Sequence, residues 1–217
     1  MLESKFYVMR QLPLGISPGH EPDFDNFVAG PNREALTRVK ALAAGTLDER
    51  IIYLWGGRAS GRSHLLAAAG RANPSLVIAD DAQALDERAQ HALFVAINDA
   101  REGGPAVLAA GDAPPAALRL RPDLASRLAW GLVYHLLPLT DADKREHLKA
   151  LASGRGLLLS DDVAAYLLER LPRDMASLAT IMEVLDRYSL TRKRALTLPL
   201  VREAFGEGIL GGQREGR

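Results

Sequence analysis

Ile51-Ile52-Tyr53-Leu54-Trp55 runs directly into Gly56-Gly57-Arg58-Ala59-Ser60-Gly61-Arg62-Ser63-His64, which reads as an apolar strand, a glycine loop and the start of a helix. Gly56, Gly61 and Ser63 fit the pattern G-x-x-x-x-G-K-[ST]. In that pattern backbone N–H groups close around phosphates, a lysine reaches the outer oxygens, and a hydroxyl serves Mg²⁺. Arg62 stands where the lysine belongs. A broad guanidinium does not simply replace a compact ammonium in a tight cradle, so the loop points to a chain that holds a nucleotide without fast turnover. Gly56, Gly57, Gly61, Arg62, Ser63 and His64 are the candidate contacts to that nucleotide. Glycine turns between a strand and a helix are also common in α/β proteins, so the loop alone leaves the ligand open.

Working outward, further strands alternate with helices. Leu76-Val77-Ile78-Ala79, ending in Asp80-Asp81, reads as a parallel strand buried on both faces. Ala106 to Ala110 is a third strand, closing at Gly111-Asp112, and Leu132 to Leu137 is a fourth. Helices are predicted from Arg33 to Ala44 after the Pro31-Asn32 turn, from Ser63 to Gly70, and through Ala89, Leu93, Ala96 or Ile97 and Ala100 until Gly103-Gly104. That alternation gives an α/β layer with a mainly parallel sheet.

Beyond Pro138 the pattern is helical only. Thr140 can cap one helix and Ser160 a second; Leu178, Ile181, Met182, Leu185 and Tyr188 form the stripe of a third, and a short fourth surrounds Val201. The expected organisation is an extended arm over residues 1–20, an α/β domain over 21–139, a helical domain over 140–206, and a flexible tail over 207–217.

Lys plus Arg and Asp plus Glu number 27 each, so no net charge steers the molecule to DNA or an anionic membrane. The chain has no cysteine, which removes disulfides and thiolate ligands and fits a reducing compartment. No stretch is apolar for long enough to cross a bilayer, and the expectation is a soluble cytoplasmic protein. The five histidines are scattered without metal-ligand spacing.

Asp80 and Asp81 end an apolar strand after a phosphate loop, where carboxylates can hold Mg²⁺ with Ser63 and orient attacking water. They can equally cap the next helix. Asp112 closes the following strand at the edge where open α/β sheets bind ligands, or is a turn residue before Pro114-Pro115. Arg127, just ahead of the last strand, can reach a neighbouring subunit's phosphate as an arginine finger or lie solvated on the surface. Phe24 and Phe27 can pack at a base pocket or in plain core.

Phe24-Asp25-Asn26-Phe27-Val28, the string Ser126-Arg127-Leu128-Ala129-Trp130-Gly131 and Arg173 opening a late helix resemble the AAA+ module of the bacterial replication initiator DnaA. A short chain with Gln11-Leu12-Pro13-Leu14 near its start is similar to the Hda family of DnaA regulators. The resemblance covers Gln11 to Phe205, and its two longer strings are specific where the phosphate loop is generic. It implies an AAA+ P-loop module followed by a small all-helical lid, with bound ADP or ATP. It also implies docking on the DNA-loaded sliding clamp and stimulation of ATP hydrolysis by DnaA, which prevents re-initiation. On this resemblance Gln11, Leu12, Pro13 and Leu14 match the clamp-binding motif, Arg127 the arginine finger acting in trans, and Arg173 an arginine that contacts nucleotide. DNA is then met through the clamp, no membrane is involved, and self-association is open. A glutamine with spaced leucines on an arm suits a shallow pocket that takes one polar and two apolar anchors.

One departure stands out. Only Arg71 to Ser75 separate the loop helix from the strand ending at Asp80, where the family places another strand and helix. The family's strand order puts that missing strand at the sheet edge, so the expectation is a reduced sheet of about four strands. Two other functions share the motifs: an autonomous AAA+ ATPase such as a helicase loader, and a small-molecule P-loop kinase, for which no acceptor site is recognisable.

Overall fold

A computed structural model describes residues 21–171 and 175–210. The predicted arm, with Gln11, Leu12, Pro13 and Leu14, lies outside the described residues, as do Arg173 and residues 211–217 of the predicted tail. Residues 207–210, also expected to be tail, are ordered instead: Leu210 is buried in the helical core and Glu207 pairs with Arg192.

Four parallel strands form the sheet: β1 (Ile51–Trp55), β2 (Val77–Ala79), β3 (Val107–Gly111) and β4 (Leu132–His135), in the spatial order β2-β3-β1-β4. The reduced, four-stranded sheet is thus observed. β1 and β3 are central and their side chains are buried on both faces, the reason they read as continuous apolar runs. β2 departs from its expected burial. It lies at the edge, is only three residues long, and leaves Ile78 37% exposed, because no strand pairs with its outer side. β4 ends at His135 rather than Leu137: Leu136 turns inward and Leu137 faces solvent.

Helices cover both faces. On one side α1 (Arg33–Ala43) and α2 (Arg62–Ala72) bury Val39, Leu42, Leu65 and Leu66 against Ile52, Leu54 and Leu108. On the other, α3 (Glu87–Arg101) and α4 (Pro122–Leu128) place Leu93, Ile97, Leu124 and Leu128 on Ile51, Tyr53, Val107 and Ala109. Alternate residues of β1 therefore serve opposite cores, as the period of two in a strand requires. Asp86 caps α3 by accepting from the Ala89 N–H at 2.7 Å; neither Asp80 nor Asp81 caps that helix.

The C-terminal part is helical: α5 (Asp141–Gly154), α6 (Asp161–Arg170), α7 (Met175–Arg192) and α8 (Leu198–Gly206). Their apolar stripes meet in one cluster that includes Leu148, Leu167, Leu178, Met182, Leu185 and Val201. Thr140 and Asp143 form a reciprocal capping box at the start of α5. Ser160 occupies the cap position of α6 without a side-chain capping bond. The seam between sheet and helices is fastened by Asn32, which is buried: its Nδ2 donates to the Leu137 carbonyl and its Oδ1 accepts from the Leu137 N–H, each at 2.8 Å. No helix among the described residues is long and apolar enough to cross a membrane.

Candidate nucleotide site and arginine face

The strand order dictates where a ligand can enter. β1 is followed by a helix on one face and its neighbour β3 leads to α4 on the other, so a crevice opens between their carboxyl ends. The glycine loop leaves β1 at that crevice, and Asp112 leaves β3 across from it. The Gly56 N–H donates to the Gly111 carbonyl at 3.3 Å, holding the loop's root to β3.

The loop is shaped by close approach. A side chain at Gly56 would run into the Leu136 carbonyl oxygen and Ser60 Oγ. Gly61 caps α2 with a φ of 95°, in the left-handed region, and a Cβ there would lie 2.7 Å from the Phe27 ring. Gly57 closes a turn, accepting from the Ser60 N–H at 3.3 Å, and is otherwise open. Ser63 is exposed on the first turn of α2, where free backbone N–H groups and the helix dipole favour an anion. Two polar atoms of the loop and the first turn of α2, Ser60 Oγ and Arg62 Nη1, are buried without a hydrogen-bond partner. Buried donors left unpaired are costly, and a phosphate oxygen is the acceptor that suits both. The cradle therefore fits a polyphosphate.

His64 Nε2 is 2.8 Å from the Asp23 carbonyl oxygen, and its ring is tilted at 5.4 Å to that of Phe27. Phe27 thus packs on the loop through Gly61 and His64. Phe24 packs on the α1 and α2 side of the core, with the Lys40 ammonium 5.6 Å from its ring. The segment before the loop braces it, and of its two aromatics only Phe27 touches it.

Across the crevice, Asp80 Oδ1 accepts from the Asp81 N–H at 2.8 Å, and Asp81 adopts a left-handed backbone with φ 48°. Asp81 Oδ1 accepts from Gln83 Nε2 at 3.0 Å and lies 3.8 Å from Arg62 Nη2. Gln83 Oε1 in turn accepts from the Asp112 N–H at 3.1 Å, so one amide ties both candidate carboxylate segments together. Beneath them Tyr53 donates to the Ala113 carbonyl at 2.8 Å; burial, then the Asp112 carboxylate, push its hydroxyl well above the usual phenol range, against the pull of Arg62. Ser60, Gln83 and Tyr53 carry no signal in the sequence beyond their place beside the motifs.

Arg127 lies elsewhere. It ends α4 just before β4 begins, at the amino-terminal edge of the sheet, while the glycine loop is at the carboxyl edge. The length of β1 separates the two edges, roughly 16 Å for five residues. Its Nε donates to Asn98 Oδ1 at 2.8 Å and its Nη1 to the Asp123 carbonyl at 3.5 Å, and its guanidinium lies 4.1 and 4.7 Å from the ring centroids of Phe94 and Trp130. Arg101 covers Trp130 at 4.3 Å. Trp130, 44% exposed, borders a shallow cavity of about 390 Å³ that also touches Asp48 to Ile51. Among the candidate site residues within the described part, Arg127 is the one placed at the opposite edge of the sheet from the loop.

Comparison with known proteins now bears on both halves. Residues 141–205 match the family model described as the Hda lid domain. That match covers the helical part of the chain alone. Its fold is similar to domain III of the Thermotoga maritima replication initiation protein DnaA, with a TM-score of 0.66 at 19% identity, covering 87% of this chain and 97% of that one. AMPPCP-bound DnaA from Aquifex aeolicus aligns with a TM-score of 0.63 at 21% identity, covering 85% and 70% of the two chains. A Thermotoga maritima RuvB variant aligns at 0.61 and 16%, covering 86% and 72%. The four-stranded sheet and the helices that follow it thus share the fold of DnaA domain III.

Proposed function

We propose that the protein is a nucleotide-bound regulator of replication initiation that lends Arg127 to the ATP site of a DnaA-type initiator. The observation that carries this reading is the separation of Arg127 from the chain's own glycine loop by the length of the sheet. A guanidinium so placed serves a phosphate on another molecule, where it neutralises charge that develops during hydrolysis. The orphaned donors of the cradle support a bound ADP or ATP, and the arginine in the lysine position fits a nucleotide that is held rather than consumed. In this reading Arg173 closes on that nucleotide from the lid. The segment Gln11-Leu12-Pro13-Leu14 tethers the chain to the sliding clamp on DNA, in the cytoplasm, as a monomer or a self-associated form.

The test is hydrolysis by ATP-bound initiator in the presence of DNA-loaded clamp. Adding the protein accelerates hydrolysis, Arg127→Ala removes the acceleration while clamp binding survives, and Gln11→Ala with Leu12→Ala removes clamp binding instead. Unchanged acceleration by the Arg127 variant rejects the assignment. Robust turnover by the purified chain alone, lost on Asp80→Asn, identifies an autonomous AAA+ ATPase.

A further inference from the structure

AAA+ phosphate loops ordinarily share their nucleotide with Mg²⁺, and Ser63, Asp80 and Asp81 are the residues this chain offers. Their arrangement does not fit the ion. Mg²⁺ demands a near-octahedral set of oxygens at short, uniform distances. Asp81 Oδ1 already accepts from Gln83 and faces Arg62, while Asp80 Oδ1 is turned to the backbone N–H of Asp81.

Arg62 is the reason. Its side chain is only 12% exposed, one Nη faces Asp81 at 3.8 Å, and the other is buried without a partner at the cradle. A fixed positive charge on the first residue of α2, next to the glycine loop, therefore faces the acidic pair. The guanidinium offers enough donors to serve both sides at once, which a lysine ammonium of shorter reach does not. Gln83 keeps the Asp81 carboxylate aimed at it, and the left-handed backbone of Asp81 sets that direction.

We infer that Arg62 bridges the phosphates to Asp81 in place of a divalent cation, so that this site takes a nucleoside di- or triphosphate in its metal-free form. The inference rests on the nucleotide reading above. It makes the loop a site of retention: without a metal ion to polarise the outer phosphate and organise water, bound nucleotide is not turned over.

Binding of a fluorescent ADP analogue to the intact chain, in excess Mg²⁺ and in excess EDTA, separates the possibilities. The expected result is an affinity that changes by less than about threefold between the two conditions. In Arg62→Lys the requirement returns, with EDTA weakening binding by about tenfold or more. As a measurement independent of any variant, the wild-type chain saturated with ADP is titrated with Mn²⁺ and followed by the signal of free ion, and no stoichiometric uptake is expected. A tenfold loss of wild-type affinity in EDTA, or uptake of one Mn²⁺ per chain, overturns the inference and leaves the nucleotide reading intact. Absence of binding in both conditions defeats the nucleotide reading itself, and the inference with it.

Discussion

The guanidinium of Arg127 lies 4.1 Å from the centre of the Phe94 ring, one rung of a stack that alternates cations and aromatics. The order of contacts is Arg101, Trp130, Arg127, Phe94 and Arg121, with the Arg121 guanidinium 5.7 Å from the Phe94 centroid. Asn98 holds the Nε of Arg127, whose Nη1 donates to the Asp123 carbonyl at 3.5 Å, so the guanidinium is fixed by two hydrogen bonds and two rings. On the proposed function, a fork held in this way loses little entropy when it meets a phosphate.

On the proposed function, Trp130→Ala removes a cation–π contact of about 1 kcal/mol and slows the stimulated hydrolysis of initiator-bound ATP about fivefold. Trp130→Phe keeps most of the rate. Single-turnover hydrolysis at saturating protein reads this as a loss in the chemical step, distinct from weakened association.

Gly61→Ala is expected to cost more than about 1 kcal/mol, because alanine pays for the positive φ and also meets Phe27. Adding Phe27→Leu relieves the second penalty and leaves the first. Thermal denaturation of the single and double variants resolves the two contributions.

Tyr53→Phe deletes the bond to the Ala113 carbonyl and should lower stability by about 1 kcal/mol near neutral pH. The native hydroxyl titrates above its ordinary value of 10.0, so the unfolded chain ionises first and wild-type stability declines as pH rises past that point. Denaturant titrations across the alkaline range should show a shallower decline in the phenylalanine variant.

His147 responds at the opposite end of the scale. Burial holds its imidazole below the usual 6.5, so the unfolded chain takes up the proton first as pH falls. Stability therefore drops as pH goes below about 6.5, and His147→Gln should flatten that slope in urea titrations between neutral and mildly acidic pH.

Thr140→Ala opens the capping box at the start of α5 and should cost about 1 kcal/mol, whereas Thr140→Ser, which retains the hydroxyl, should cost far less. Equilibrium unfolding with a helix probe measures both.

The central strands and the lid were legible in the sequence because their side chains obey simple periods. The run Ile51–Trp55 is apolar throughout because both its faces are buried, and the stripe Leu178, Met182, Leu185 and Tyr188 recurs at helical spacing. The burial of β2 was misjudged from the same signal: an edge strand and a central strand differ in what lies beside them, and Val77-Ile78-Ala79 is apolar in either place. The glycine loop was legible as a motif. Its partners were not, since Gln83 and Tyr53 join the site through contacts that span distant segments. Trp130 and Phe94 show a similar limit. Trp130 belongs to a recognisable string, but only the packing of α3 on α4 reveals that both rings enclose Arg127.

The paired bonds between Asn32 and Leu137 bear on how sheet and lid can communicate. They pin the outgoing chain to the turn before α1, past the end of β4, so the sheet behaves as a rigid body through Leu137. Only Pro138 and Leu139 then separate this anchor from the capping box at Thr140, so the two fastenings leave the connection between sheet and helices almost no slack.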